Sequence, residues 1–443
     1  MIGSQPHRSL ANLAQTHGPI MLLKLGQNTT LVISSASAAK QVLQKHDLSF
    51  ATHFMPAALD IRSYSTYSLG LLPVDNQWRF VRKIINSNLF SVKSLEASKH
   101  LRDQKVEELI SYCHNAGLSN EHVDIGSAAF RTLLNLICNN IFSKDFTDPY
   151  NDSGKEFREV IGNIMVDAAK PNLVDFFPML KKIDPQGLKR RMSSHFDKVL
   201  AILEDLIEER LAMGTSEHHD LLDVFLKINQ DNPQEFSRSC FKILILDMFI
   251  AGTDTTSTTV EWAMAEVLRN PHIMAKSKEE LEHVIGKGKI IREDDIIKLP
   301  YLSCIVKETF RLHPPAPFLL PRNVENQVEV NGYVIPKGIK MIVNAWAIGQ
   351  DTTIWDDSKE FKPQRFLGRE IDVRGQNFEL IPFGAGRRIC PGLPLALRTI
   401  PVMLGSLLNN FDWNLDVNMD MTERFGITLQ KANPLSVVPI LLN

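Results

Sequence analysis

One cysteine in this sequence stands in surroundings suited to chemistry. Cys390 lies in the run Pro382-Phe383-Gly384-Ala385-Gly386-Arg387-Arg388-Ile389-Cys390-Pro391-Gly392, where two glycines allow a tight backbone path and a helix is expected to follow. With Cys390 as N-cap, Pro391 and Pro394 take the first and fourth helical positions. The first amides of a helix have no intrahelical acceptor, so prolines there give up nothing. The N–H groups of Gly392 and Leu393 are then free to point at the sulfur. They and the positive helix end favour thiolate over thiol.

A second run sits inside the helix expected over Phe241 to Arg269: Ala251-Gly252-Thr253-Asp254-Thr255-Thr256-Ser257-Thr258-Thr259. Glycine and five threonines are poor helix formers, and a threonine hydroxyl can bond back to a carbonyl one turn earlier. The run is expected to open the hydrogen-bond ladder locally and leave room for water. An acid beside an alcohol in such an opening, as Asp254 is beside Thr255, suits proton transfer, although a lone Asp-Thr pair in a helix more often simply faces solvent.

Two further spacings pair charge with charge or charge with an aromatic ring. Glu308-Thr-Phe-Arg311 places opposite charges three apart on a helix that the prolines after His313 must end. Trp78-Arg-Phe-Val-Arg82 places an aromatic and a cation on one helix face, and Arg322 follows Pro321. Taken alone, each also suits an ordinary surface helix.

The elements that must position these residues are mostly helical. Alternation around Ile20 to Leu25 and Thr30 to Ser34, with Gly26-Gln-Asn between, predicts a hairpin. From Ala36 to about residue 310 the period is that of helices: Trp78 to Phe90, Leu101 to Asn115, Ala128 to Ile141, Leu188 to Ala212 and Phe241 to Arg269. Loops are expected at Asp145 to Gly154 and Gly214 to His219. After Pro314, short strands appear around Val328, Tyr333 and Met341, joined by turns at Asn331-Gly332 and Pro336-Lys-Gly338. A last helix, Pro391 to Asn410, precedes a strand-rich tail. With no repeat or linker, this describes one large α+β domain, mainly α with small β-sheets, spanning residues 1–443.

Composition narrows the classes further. Lys plus Arg is 49 against 51 Asp plus Glu, a formal net charge of -2, which lacks the basic excess of a nucleic-acid binder. No Gly-x-Gly-x-x-Gly fingerprint offers a flavin or nicotinamide site. Cys113, Cys138, Cys240, Cys304 and Cys390 form no metal or disulfide spacing and read as reduced thiols facing the cytosol. The best apolar run, Ile243 to Gly252, is short and broken by Asp247, and the N-terminus reads as neither signal peptide nor membrane anchor.

Phe383-x-x-Gly386-x-Arg388-x-Cys390-x-Gly392 resembles the cytochrome P-450 haem-binding signature at every fixed position. The threonine-rich run resembles that family's oxygen-activation motif. The resemblance extends from about residue 6 to the C-terminus and is closest in character to plant microsomal members of the geraniol hydroxylase and terpenoid oxidase kind. It implies the P-450 fold and a haem b held by the Cys390 thiolate, the arrangement in which sulfur pushes electron density toward bound oxygen. It also implies monooxygenation of a small lipophilic substrate, with dioxygen and NADPH-derived electrons delivered by NADPH–cytochrome P-450 reductase. Arg79, Lys83 and Arg387 are candidate reductase contacts. By the same resemblance Arg388, Arg82, Trp78 and Arg322 face the haem propionates, and Phe383 lies beside the cofactor. Glu308, Arg311 and Arg365 form a buried structural network; Gln364 departs from the family, which commonly has glutamate there. Phe249, Ile250, Ala251, Pro317, Phe318, Leu320, Ile427 and Leu429 match substrate-facing segments, although core packing suits each of them singly. The segment Thr52 to Leu71 is expected to add substrate contacts. The family would sit on the cytosolic face of the endoplasmic reticulum membrane; the sequence as written begins without the family's anchor and hinge. Rival readings are a haem-thiolate isomerase or dehydratase that does not use dioxygen, and an inactive haem-binding protein.

Overall fold

The structure is a computed structural model that describes residues 3–148, 155–213, 220–415 and 419–442. The loop expected at Gly214 to His219 lies outside these residues, as does most of the one at Asp145 to Gly154.

A 32-residue helix, Arg238–Arg269, runs through the molecule and is called the central helix below. The hydroxyl of Ser237 caps it by accepting from the Cys240 amide. Its N-terminal half, from Cys240 to Phe249, packs with Ile125–Phe142, Lys155–Ala169 and Leu188–Ala212 in one hydrophobic core. Its C-terminal half, from Val260 to Leu268, belongs to a second core with Lys99–Leu118, Pro300–Leu312 and Leu393–Asn410. The polar run from Ala251 to Thr259 falls at the seam between the two cores. A largely buried helix can carry such a run only where its buried polar groups find partners.

Those partners are local, and the expected opening of the helix does not occur. The central helix is unbroken α-helix across the run. Thr253, Thr255 and Thr259 donate their hydroxyls to the carbonyls of Phe249, Ala251 and Thr255 at 2.7, 2.7 and 2.8 Å. A carbonyl has two lone pairs, so each hydroxyl shares its acceptor with the amide ladder instead of displacing it.

The expected hairpin is β1 (Ile20–Leu25) with β2 (Asn28–Ile33), antiparallel in register from Ile20↔Ile33 to Leu25↔Asn28. Two strands from far along the chain extend it: β7 (Lys340–Val343) pairs parallel to β2, and β4 (Arg322–Asn323) pairs antiparallel to β7. Between them β5 (Val328–Val330) and β6 (Tyr333–Ile335) form a hairpin. Its two turn residues, Asn331 and Gly332, both have positive φ, as a type I′ turn requires. A third sheet has the order β3 (Val123–Asp124), β11 (Ser436–Leu441), β8 (Phe411–Asn414), and β9 (Glu423–Arg424) pairs with β10 (Gln430–Lys431).

The helix after the cysteine starts later than its sequence suggests. It spans Leu393–Asn410 with Gly392 as N-cap, so Cys390 lies two residues before the cap and is not the cap itself. Pro394 remains within the first turn, where its missing N–H is no loss.

Candidate functional site

The cysteine loop is shaped by its glycines. Gly384 and Gly386 have φ of 71° and 70°, and a Cβ on Gly386 would collide with the Leu43 carbonyl. The Cys390 amide donates to the Phe383 carbonyl at 3.0 Å, closing the loop. The Phe383 ring meets Phe310 edge-on, 5.2 Å between centroids. The Cys390 sulfur accepts from the amides of Gly392 and Leu393, as the sequence suggests. Burial nevertheless pushes the thiol pKa up, outweighing these two amides and the nearby Arg82, so the donors alone do not make it a thiolate. The other four cysteines are buried in the cores.

Beside the loop three guanidinium groups converge. Arg388 donates to the carbonyls of Ala51, Leu69 and Leu72, Arg82 to that of Ile389 at 2.7 Å, and Arg322 to that of Phe50 at 3.1 Å. Arg388 and Arg82 lie over the Trp78 ring at 4.9 and 5.9 Å. Among the described residues none of the three forms an ion pair, and the buried Trp78 Nε1 finds no acceptor. Burial and mutual repulsion pull Arg388 and Arg322 down to about 10. His53, missed in the sequence, lies in the same cluster; burial and then Arg322 and Arg388 push its pKa down to about 3. So much unneutralised cation in a desolvated place is suited to an anion with several acceptor oxygens.

Asp254 and Thr255 are not a hydrogen-bonded pair. Both Asp254 oxygens face the C-terminal segment, one taking the Thr428 hydroxyl and the other the Gln430 amide at 2.7 Å. Burial raises the Asp254 pKa, against the pull of these two donors. Thr255 is half-buried and Ala251, one turn before it, is exposed, in contrast to the buried Thr256–Leu268 that follow. Thr428 and Gln430 were legible only through the strand alternation of Ile427-Thr-Leu-Gln-Lys431, which puts them on one face.

The apolar candidates divide. Pro317, Phe318 and Leu320 run beside Ile427 and Leu429: the Leu429 amide donates to Pro315, and Phe318 meets Phe425 at 5.4 Å. Leu320 is exposed, Phe318, Ile427 and Ile250 are half-buried, and Pro317 is buried. Leu429 is fully buried, and its carbonyl accepts from the Trp262 indole. Phe249 is buried in a cluster with Phe142, Phe146 and Phe157 at 5.0–6.5 Å between ring centroids.

Glu308, Arg311 and Arg365 meet as expected. Glu308 takes Arg311 at 2.7 and 2.8 Å and Arg365 at 2.9 Å, all buried. Arg311 spends its remaining donors on the carbonyls of Gly349, Ser358 and Glu360. Gln364 is exposed, so its departure leaves the network intact. Of the candidate reductase contacts, Arg79 and Lys83 are exposed on the Trp78 helix, whereas Arg387 is taken by Asp47 at 2.8 Å.

The Cytochrome P450 family model matches residues 1–437. The chain belongs to this family. It is 64% identical to a 7-ethoxycoumarin O-deethylase of Helianthus tuberosus, covering all of this chain and 91% of that one. It is 58% identical to a geraniol 8-hydroxylase of Catharanthus roseus, with 99% and 90% covered, and 47% identical to a drimenol monooxygenase of Persicaria hydropiper, with 99% and 89% covered. A zebra fish cytochrome P450 solved with progesterone shares the fold, with a TM-score of 0.85 at 24% identity over 99% of both chains. The protein is thus a P450 monooxygenase, which uses a haem with a cysteine thiolate ligand, dioxygen and NADPH-derived electrons. The unpaired arginines and the unpartnered indole N–H beside Cys390 fit such a group, whose two carboxylates need donors of this kind.

Proposed function

We propose that this monooxygenase oxidises a C–H bond of a small lipophilic terpenoid at a haem held by Cys390. One observation carries the reading: the Cys390 thiol, flanked by two amides at a helix start, adjoins the half-buried Arg82 and the buried Arg322 and Arg388, none of which is ion-paired among the described residues. Arg82, Arg322 and Arg388, with the Trp78 indole, would hold the haem carboxylates, and Phe383 would pack beside the sulfur. When bound, the haem supplies the net chemistry RH + O2 + 2 electrons + 2 H+ → ROH + H2O. Thr255 holds a hydroxyl, with lone pairs to spare, on the accessible face of the central helix. Asp254, raised in pKa by burial, can hold a proton at its carboxyl and deliver it after leaving Thr428 and Gln430. The dioxygen-independent isomerase has no use for these two residues.

Ile250, Ala251, Pro317, Phe318, Leu320, Ile427 and Leu429 form the substrate wall in this reading, with Leu429 as its most buried member. Their apolar character and the relatives that act on geraniol and drimenol support a terpenoid. Electrons enter from NADPH–cytochrome P-450 reductase, for which Arg79 and Lys83 offer exposed cations. Association with the cytosolic face of the endoplasmic reticulum membrane belongs to the same reading. No helix among the described residues is long and apolar enough to cross a membrane. The test is the reduced, carbon monoxide-bound spectrum of haem-loaded protein, followed by geraniol turnover with reductase and NADPH. A strongly red-shifted Soret band and a hydroxylated geraniol support the reading; a band of the histidine or thiol type overturns the Cys390 assignment.

A further inference from the structure

Asp247 interrupts the most apolar stretch of the central helix, between Leu246 and Phe249, where a carboxylate needs compensating donors. It has four. Tyr64 and Ser68 donate their hydroxyls at 2.6 and 3.1 Å, the Leu69 amide donates at 2.8 Å, and the Gly70 amide donates as well. The carbonyls of the same two residues are taken from the other side: Arg388 donates to Leu69 at 3.2 Å, and His53 Nδ1 bonds to Gly70. Leu69 and Gly70 are therefore clamped between the central helix and the cationic cluster beside Cys390. The chain enters the clamp through Arg62 and Ser63, both at positive φ, and Arg62 is fixed to Asp197 by two bonds of 2.6 and 2.7 Å. Non-glycine residues hold such a conformation only where surrounding contacts impose it.

The placement of the clamp gives it meaning. Asp247, Ala251 and Thr255 follow at intervals of four along one helix face, so Asp247 stands about 6 Å along the axis from Ala251. We propose that Asp247 is a positioning residue that holds Tyr64 to Leu72 as a fixed roof over the substrate chamber, and so sets the affinity and orientation of small lipophilic substrates. The chamber's location rests on the functional reading above; the clamp does not. A segment ordered before the substrate arrives costs no ordering at binding. Burial pushes the Asp247 pKa up to about 6, against the pull of its donors, which keeps it mostly ionised at neutral pH.

The test uses the haem-loaded full chain with NADPH and reductase, the variants Asp247→Asn and Tyr64→Phe, and geraniol and 7-ethoxycoumarin as probes. Amide hydrogen exchange is followed over residues 61–72. Exchange is expected to quicken about tenfold or more in Asp247→Asn, with a smaller change in Tyr64→Phe, the loss of a charge-assisted bond being worth about that factor. KM for geraniol is expected to rise about tenfold with kcat little changed, and the ratio of hydroxylated products to shift. Exchange identical to wild type overturns the clamp. Faster exchange with unchanged KM and product ratio overturns the positioning role. If Asp247→Asn does not fold, Tyr64→Phe, which removes one hydroxyl, decides between the same outcomes. A wild-type chain without the thiolate band overturns the functional reading and the substrate role with it, while the exchange data still judge the clamp.

Discussion

Asp254 and Thr255 are adjacent in sequence and bond to different parts of the molecule. The Asp254 carboxylate is held by Thr428 and Gln430, 174 and 176 residues away, whereas the Thr255 hydroxyl donates to Ala251 on its own helix. Neighbours on a helix point about 100° apart, so an acid and an alcohol in succession face different surroundings by default. In the reading proposed above, a proton passes between them only after Asp254 releases its partners.

Thr255→Ala should leave substrate binding intact and uncouple electron use from product. Hydrogen peroxide formed per NADPH, measured against hydroxylated geraniol, is expected to rise severalfold, on the scale of a lost proton-transfer group. Unchanged coupling removes Thr255 from the relay.

Gln430→Leu and Thr428→Val should move the acid itself. Burial raises the Asp254 pKa and these two donors hold it down, so removing either raises it further. The carboxyl then stays protonated to higher pH, and since Asp254 acts as the proton donor in this reading, the alkaline limb of the kcat profile is expected to shift upward. A profile identical to wild type would mean that Asp254 does not titrate in the rate-limiting step.

Cys390→Ser should retain the fold and lose the strongly red-shifted carbon monoxide band. The carbon monoxide spectrum of the variant decides this directly. A wild-type band assigns the ligand elsewhere.

Arg311→Ala should be among the most damaging single changes. It leaves Glu308 buried with Arg365 as its remaining charged partner and strips donors from three carbonyls. A loss of about 3–5 kcal/mol is expected, read by denaturant unfolding. Glu308→Gln should destabilise as well, because the amide nitrogen cannot accept from Arg311 and both arginines lose their counter-charge.

Glu261→Gln should stabilise the protein at alkaline pH. Burial pushes the Glu261 carboxyl up to about 7, so the folded state resists its ionisation. That penalty is complete above the folded value and vanishes as pH falls toward 4.5, where the unfolded chain also protonates. The variant, whose amide oxygen can still accept from Leu435, is expected to gain about 1–3 kcal/mol at pH 8 and nothing near pH 4. Equal stability at both pH values would mean the carboxylate is well solvated.

Local chemistry was legible wherever residues close in sequence act together. The glycines of the cysteine loop, the amides of Gly392 and Leu393, the Glu308–Arg311 pair and the long helices are all set by spacing within one or two turns. Arg365 was found through its family motif. The cysteine helix was placed two residues early because prolines suit several positions of a first turn equally. An apolar residue on a buried helix, such as Phe249, reads the same in sequence whether it faces a chamber or an aromatic cluster.

What the sequence determined by itself was the helical body, the thiol and its donors, and the acid and alcohol available for proton transfer. Tertiary structure decided which way the acid faces, because Thr428 and Gln430 reach it across a chain separation that no periodicity spans. It also decided that β2 pairs with β7 and that Arg82, Arg322 and Arg388 crowd together unneutralised. Asp247 likewise reads in the sequence only as a break in an apolar run. The physical reason is common to all of these: a buried charge is defined by the partners that fold around it, and those partners come from segments brought together only by burying the two cores.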